Sequence, residues 1–598
     1  MKLFSSLIGL VLAFFAAVPL RAASASRPNV VILLADDAGW GDYSASGNLQ
    51  VRTPNIDSIG RAGASLDRFF VCPVCSPTRA EFLTGRYYPR TGVRGVSSGT
   101  ERFSPSERTL AHAFKDAGYA TGVFGKWHSG GQWPYHPNAR GFDEFFGYCS
   151  GHWGEYFDPP LEHNGQPIRG QGYIVDYLTD RALEFIDKNQ AQPFLCYVPF
   201  TTPHSPWAVP AAEWDRFKTK SFTQTATDPA KEVPDQTRAA LAMMENQDAN
   251  VGRILKRLDE LKLSDNTIVV YFTDNGPNTA RWNGGMKGIK GSTDEGGIRS
   301  PLFLRWPAKV TAGRTVKEIS GAMDLLPTLT TLAGIPLPGD EPLDGIDLST
   351  RILGAQTTAP YRMIFSTWNG GFSVRTPTHR LGSDGELYDM LADPGQTKSI
   401  TAQDPKLAAR LSAALAAWKT EMYGATPPVR STTDWGDVDP RPLTVGYREF
   451  PRAFLPASEA TPHGTVRRST ASPNSSYFVN WTSPADTMVW DIEVHTSGKY
   501  LVEILYTCPL ADAGSTIELS HGQSRLTGQV APGWDPPLYT NQDTLPRAPT
   551  QSKMKEFHTL SLGTLPLEAG AGPLTLRALK IPGRQVMDVR GLALTLAP

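Results

Sequence analysis

Short apolar runs alternate with amphipathic stretches through the first half of the chain. NVVILLADD (29–37) is an unbroken apolar run closed by two acids, as expected of a strand buried on both faces. RTLAHAFKDAG (108–118) spaces its apolar residues as a helix does and stops at Gly118; ATGVFGKWH (120–128) follows as the next strand. The alternation continues with a helix in TDRALEFIDKN before the strand FLCYVPF. A long amphipathic helix from Arg238 to Leu261 then precedes TIVVYFTDNG, and PLFLRWP reads as one more strand. Strands separated by helices predict a parallel sheet with both faces covered, and such sheets bind ligands at the carboxyl ends of their strands. Asp36, Asp37, Lys126, His128, His204, Asp274 and Asn275 all fall at or just past those ends.

The pattern changes near Met363. RMIFSTWNG, FSVRTPTHRL and GELYDM read as short strands and KLAARLSAALAAWKTEM as a closing amphipathic helix, which predicts a small antiparallel sheet packed on the main domain. Pro, Thr, Ser and Gly then dominate up to about Thr470, as in a linker with local order. Beyond it, TMVWDIEV, KYLVEILYTC, STIELSH, FHTLSLGTL, PLTLRALKI and MDVRGLALTL alternate between turn signals and predict an all-β sandwich. The expected fold is therefore α/β, a large, mostly parallel sheet sandwiched by helices, with a small antiparallel sheet subdomain and a C-terminal β-sandwich. The expected boundaries are 26–360, 361–423, 424–470 for the linker and 471–598.

Composition changes this picture little. The chain has 598 residues, 40% hydrophobic and 20% charged, which suits two or three globular domains. A formal net charge of -1 argues against an electrostatic nucleic-acid binder and leaves room for a local basic pocket. Lys2, the apolar run LIGLVLAFFAAVPL and the small residues of AASAS follow the order of a secretory signal peptide over 1–25, with cleavage expected near Ala23 or Ala25. The run is shorter than the roughly 20 apolar residues of a membrane span, so an exported protein, secreted or periplasmic, with no stable membrane span is expected. Five cysteines (Cys72, Cys75, Cys149, Cys196 and Cys508) leave at least one without an intrachain partner.

The densest chemical signal is Cys75-Ser-Pro-Thr-Arg79, continuing to Arg86 through AEFLTGR. Pro77 suits the first turn of a helix, which puts residue 75 at a helix N-terminus, where the dipole favours negative charge. Arg79 follows about one turn later with a planar, multidentate fork. Cys72-Pro-Val-Cys75 is also formally a C-x-x-C, so a redox pair, half a zinc site or a buried structural thiol stay open on spacing alone. Asp36-Asp37 are adjacent acids that repel each other unless a cation sits between them, and Asp274-Asn275 in TDNG offers a second such pair; turn formation is the competing reading of both. Carboxylates with an amide suit a hard ion, calcium or magnesium, over zinc.

These motifs resemble the sulfatase family, within the alkaline-phosphatase superfamily. The family's signature is Cys-x-Pro-x-Arg followed by Leu-Thr-Gly-Arg. Gly125-Lys126-Trp127-His128, the Pro-His of TTPHSPW at His204, and KGSTDEGGIRSP with Lys290 match further family elements in the family's order. The similarity spans about residues 27–423. The resemblance implies a sulfuric ester hydrolase in which a maturation enzyme oxidises Cys75 to formylglycine (3-oxoalanine), whose hydrate is the nucleophile. It further implies one divalent ion, calcium ahead of magnesium, held by Asp36, Asp37, Asp274, Asn275 and the group at position 75. Arg79, Lys126, His128, His204 and Lys290 would complete the catalytic set. His204 and Lys290 would hold the sulfate and protonate the leaving alcohol, while His128 would deprotonate the hydrate in the second step. Lys287 is a rival for the place of Lys290, and Ser150 or His152 are candidates to touch the sulfate. One departure is Ser129-Gly130 where family members often carry Leu-Gly, a change expected to line the site without altering the chemistry.

The leader, the added β-sandwich and the aromatics Trp133, Tyr135, His152, Trp153, Tyr156, Trp207 and Trp282 favour a sulfated carbohydrate as substrate over another sulfate ester. The sandwich reads equally as a carbohydrate-binding module or a structural appendage. Two other functions remain on sequence alone: a phosphodiesterase or phosphonate monoester hydrolase of the same superfamily, and a non-catalytic sulfated-glycan binding protein.

Overall fold

Four of the predicted apolar runs obtain their burial from one another. In the computed structural model, which describes residues 27–355, 361–424 and 438–598, strands Thr267–Thr273, Asn29–Ala35, Phe194–Pro199 and Ala120–Lys126 lie side by side in that order. All are parallel, and Glu144–Tyr148 adds a fifth parallel strand. Every residue of the first three is buried, as an unbroken apolar run requires. The leader expected at 1–25 and the 425–437 part of the expected linker lie outside the described residues.

Alternation along each strand divides the interior into two cores. Val30, Ile32 and Leu34 face a cluster that includes Phe82 and Leu83 of the helix Cys75–Thr84 and Leu326 and Leu329 of the helix Leu325–Ala333. Val31 and Leu33 face the helices Ile174–Asn189 and Pro234–Glu260 through Leu178, Leu241 and Met244. Antiparallel strands extend both flanks, Leu302–Arg305 against Thr267–Thr273 and Pro160–His163 against Glu144–Tyr148, to give eleven strands in all. The α/β class with a large, mostly parallel, helix-covered sheet is the one the sequence predicts. Among the described residues no helix is long and apolar enough to cross a membrane.

Strands Ile364–Trp368, Gly371–Arg375, His379–Leu381 and Leu387–Asp389 form the small antiparallel sheet, backed by the helix Pro405–Tyr423. Buried Glu295 of the main domain fastens it by pairing with Arg375 at 3.1 Å and Arg380 at 2.6 Å. The two cations outweigh the burial that would push this carboxyl up and hold it at about 2. Two six-stranded sheets then enclose a C-terminal core around Trp481, Trp490, Tyr500, Leu519 and Leu592. The sandwich draws its first strands from the stretch read as linker. Leu443–Val445 pairs parallel with Thr487–Val494, and Arg452–Pro456 runs antiparallel to Asp588–Leu596. These strands are short and Pro-bounded, so their alternation is too brief to register as a pattern.

Candidate active site

Parallel strands end at one rim, and that rim gathers the charged residues. Asp36 and Asp37 follow Asn29–Ala35 directly, Asp274 and Asn275 follow the neighbouring strand Thr267–Thr273, and Lys126 ends Ala120–Lys126. Gly125 admits this last strand to the rim: its φ is +145°, and a Cβ there would lie 2.0 Å from the carbonyl oxygen of Pro199. Asp37 and His128 adopt φ of 68° and 61°, a left-handed conformation costly for residues other than glycine. Hydrogen bonds hold both in place. The Asp37 amide donates to Asp274 Oδ1 at 3.1 Å and the His128 amide to the Cys149 carbonyl at 3.2 Å.

Cys75 is the first residue of the helix Cys75–Thr84, preceded by extended Val74, with Pro77 inside the first turn. Thr78 ties this helix to the sheet rim, its hydroxyl donating to the Asp274 carbonyl at 2.6 Å and accepting from the Cys72 amide at 2.8 Å. Arg79, fully buried, donates through Nη1 to the Lys126 carbonyl and through Nη2 to Asp274 Oδ2, both at 2.8 Å. Lys126 Nζ reaches both oxygens of Asp36, at 2.8 and 3.0 Å. On Asp37, Lys290 Nζ lies 2.6 Å from Oδ1, Asn275 Nδ2 donates to the same oxygen at 2.9 Å, and His204 Nε2 stands 3.4 Å from Oδ2.

Burial and charge pull these groups in opposite directions. Burial would raise the Asp37 carboxyl, but His204, Lys290 and Lys126 together hold it below the usual carboxylate range. Asp274 goes the other way, pushed up to about 6 by burial and then by Asp36, against Arg79. Burial lowers His204 to about 3 in spite of Asp37, and burial with Lys126 and Arg79 keeps His128 well below an ordinary histidine. Burial likewise raises the Cys75 thiol, opposed by Lys126 and Lys290.

The donor set fits a hard cation. Asp36, Cys75 and Asp274 bring ligand atoms within 4.8 Å of one another, as do Asp36, Asp37 and His204. Asn275 Oδ1 is buried and accepts no hydrogen bond among the described residues, an orphan acceptor of the kind an oxygen-loving ion takes up. Three carboxylates (Asp36, Asp37, Asp274) stand against three cations (Arg79, Lys126, Lys290), so the fixed charges cancel. A divalent ion in their midst would leave the pocket two positive charges in excess, matched to a tetrahedral anion.

Other expected residues take varied places. His128 Nε2 donates to the Val96 carbonyl at 2.8 Å, which leaves Nδ1, buried and without a partner, as its basic nitrogen. The ring of His152 is buried 5.2 Å from that of His204, with Nε2 unpartnered. Ser150 donates to the carbonyl of Asn474 in the sandwich at 3.2 Å. Lys287 is not brought into the cluster; it is partly exposed and lies 3.6 Å from Asp294 and 3.5 Å from Asp384, whereas Lys290 is the lysine on Asp37. Ser129 is buried beside His128. Among the described residues none of the five cysteines is in a disulfide, so Cys72 and Cys75 are not bridged.

Sequence reasoning passed over a supporting shell. Arg281, buried, pairs with Asp42 at 2.7 Å and donates to the Asp37 carbonyl at 2.9 Å, bracing the strained turn from behind. Asp42 lies five residues past Asp37 in DAGWGD, but nothing in that stretch or in TARWNGG marks Arg281 as its partner.

The chain is similar to several known proteins. A family model described as Sulfatase matches residues 28–335. N-acetylgalactosamine-6-sulfatase of Canis lupus familiaris is 33% identical over 385 residues, covering 58% of this chain and 70% of that protein. Steryl-sulfatase of Mus musculus is 29% identical over 520 residues, covering 64% of this chain and 80% of that protein. Among solved structures, Ps i-CgsB in complex with k-i-k-neocarrahexaose superposes with a TM-score of 0.60 at 26% identity, covering 68% of this chain and 96% of that one.

Proposed function

Because the chain belongs to the sulfatase family and is a sulfuric ester hydrolase, we propose that it removes sulfate from carbohydrates at the cluster around Cys75. The observation that carries this reading is the place of Cys75. It opens a buried helix beside Asp36 and Asp274, under the reach of Arg79, Lys126 and Lys290. The structural relative bound to k-i-k-neocarrahexaose and the relative named for N-acetylgalactosamine-6-sulfate support a saccharide substrate. The leader-like N-terminal residues support export to where such polymers are met.

In this proposal Cys75 acts as formylglycine, which supplies a hydrated aldehyde whose hydroxyl is a better nucleophile toward sulfur than a buried thiol. Asp36, Asp37, Asp274 and Asn275 would hold a divalent cation, calcium ahead of magnesium, which when bound draws charge from a sulfate oxygen. Arg79 orients Asp274 and the Lys126 backbone, fixing the floor of the pocket through two 2.8 Å hydrogen bonds. Lys290 and His204 flank Asp37 and bind the sulfate from the side on which the alcohol departs, where one of them supplies its proton. His128 takes up a proton at Nδ1 when sulfate is released, since Nε2 is committed to Val96. Lys126, held on Asp36, adds positive charge where negative charge develops.

A panel of sulfated oligosaccharides assayed beside para-nitrophenyl sulfate tests the reading. Release of sulfate from at least one saccharide is expected, lost on chelation and restored by calcium. Turnover of the aryl ester with every saccharide untouched would refute the substrate class, and turnover indifferent to chelation would refute the metal.

A further inference from the structure

A cavity of about 300 Å³ lies between the catalytic domain and the C-terminal sandwich. Its walls come from both: Glu101, Gln132 and Ser150 on one side, Arg452, Glu459 and Leu505 on the other. It adjoins the reaction centre. Ser150 is followed by Gly151, where a Cβ would lie 2.1 Å from His128 Nε2. Asn474 of the sandwich also lines the cavity and donates to the Val96 carbonyl at 3.1 Å, the carbonyl that accepts from His128. Farther along the interface, Gln551 donates to Ser205 Oγ at 2.7 Å, next to His204. Arg590, paired with Glu155 at 3.0 Å and lying over the rings of Trp153 and Phe557, clamps the two domains.

The polar groups facing this space are unusually unsatisfied. Glu101 Oε2, Gln132 Oε1 and Glu459 Oε2 are buried and accept no well-formed hydrogen bond among the described residues, although the Gln132 side chain lies near enough to Glu459 to steady its carboxylate; Glu101 and Gln132 are only 6% and 2% exposed. Buried acceptors left open at a cavity call for a ligand that donates. The half-buried Arg452 feels the charges of Glu503 and Glu162, but its side chain makes no hydrogen bond or ion pair among the described residues. A guanidinium is a rigid fork for carboxylate or sulfate, and desolvating one without a partner is costly. Burial, and then the neighbouring charge of Glu459, raises the Glu101 carboxyl above the usual carboxylate range.

We propose that this interdomain cavity is a saccharide subsite for the sugar adjoining the one whose sulfate is cleaved. Arg452 holds an anionic substituent on that sugar, and Glu101, Gln132 and Glu459 take its hydroxyls. The inference rests on the carbohydrate reading above and makes the sandwich a wall of the substrate cleft rather than a module that binds by itself. Acceptors for hydroxyls, one open cation and the aromatic rings of Trp153 and Phe557 suit a polyhydroxylated anion better than a lipid or a peptide.

The test compares wild type, Arg452→Ala and the cavity-filling Leu505→Trp on para-nitrophenyl sulfate and on size-fractionated oligosaccharides of carrageenan, chondroitin sulfate and heparan sulfate. On the oligosaccharide that wild type desulfates, each variant is expected to lose about tenfold or more in kcat/KM, mainly through KM, with the aryl ester unchanged. Arg452→Lys, which keeps the charge, should recover part of the loss. Undiminished saccharide turnover in both variants would overturn the subsite while leaving the carbohydrate reading intact. A parallel fall on both substrates would also overturn it, because the small ester does not extend into the cavity. A wild type that cleaves the aryl ester and no saccharide overturns both readings.

Discussion

Arg79 shows how much one buried side chain organises. Its two terminal nitrogens join the Lys126 backbone to the Asp274 carboxylate, and so couple two strand ends that carry opposite charges. Replacement by methionine keeps the volume but leaves Asp274 unpaired beside Asp36. Arg79→Met is expected to cost about 3–5 kcal/mol of stability in denaturant unfolding and to abolish sulfate release; a variant as stable as wild type would show that the pair does not hold the rim. The choice between Lys287 and Lys290 illustrates what residue types cannot say. Both precede the same glycine-rich motif, and only the path of the chain puts Lys290 on Asp37 and Lys287 on Asp384.

Elements were legible where burial was complete. Asn29–Ala35, Phe194–Pro199 and Thr267–Thr273 are apolar throughout, so the parallel sheet, and with it the rim where Asp36, Asp37, Asp274 and Asn275 meet, could be read from the sequence. The strand Ala64–Phe70 could not, because ASLDRFF mixes exposed and buried positions without a clean period. The helix Pro234–Glu260 begins ahead of the expected Arg238, with Pro234 at its first position and few apolar residues in that opening turn. Loops were the least readable. Gly151 gives no signal in sequence, yet its lack of a side chain lets the loop close on His128. Gly151→Ala is therefore expected to displace the His128 ring and lower kcat by about 10²-fold with the melting temperature unchanged; full activity would show that the ring's position is not critical.

Across the whole molecule, a formal net charge of -1 conceals a site in which three carboxylates, Arg79 and Lys126 are packed out of water and the half-buried Lys290 closes the rim. Averages over a chain this long do not register a cluster of that size. The partnership of the sandwich with the catalytic domain was equally hidden, since Asn474, Gln551 and Arg590 are ordinary polar residues until the domains dock. What the account requires above all is that the side chain at position 75 no longer be a thiol when the enzyme works. Mass spectrometry of the peptide spanning Cys75, from preparations whose sulfatase activity has been measured, reads this directly. The account predicts an aldehyde or its hydrate at position 75, in a proportion that rises with specific activity, and no activity in Cys75→Ala. A fully active preparation carrying only the unmodified thiol would contradict it.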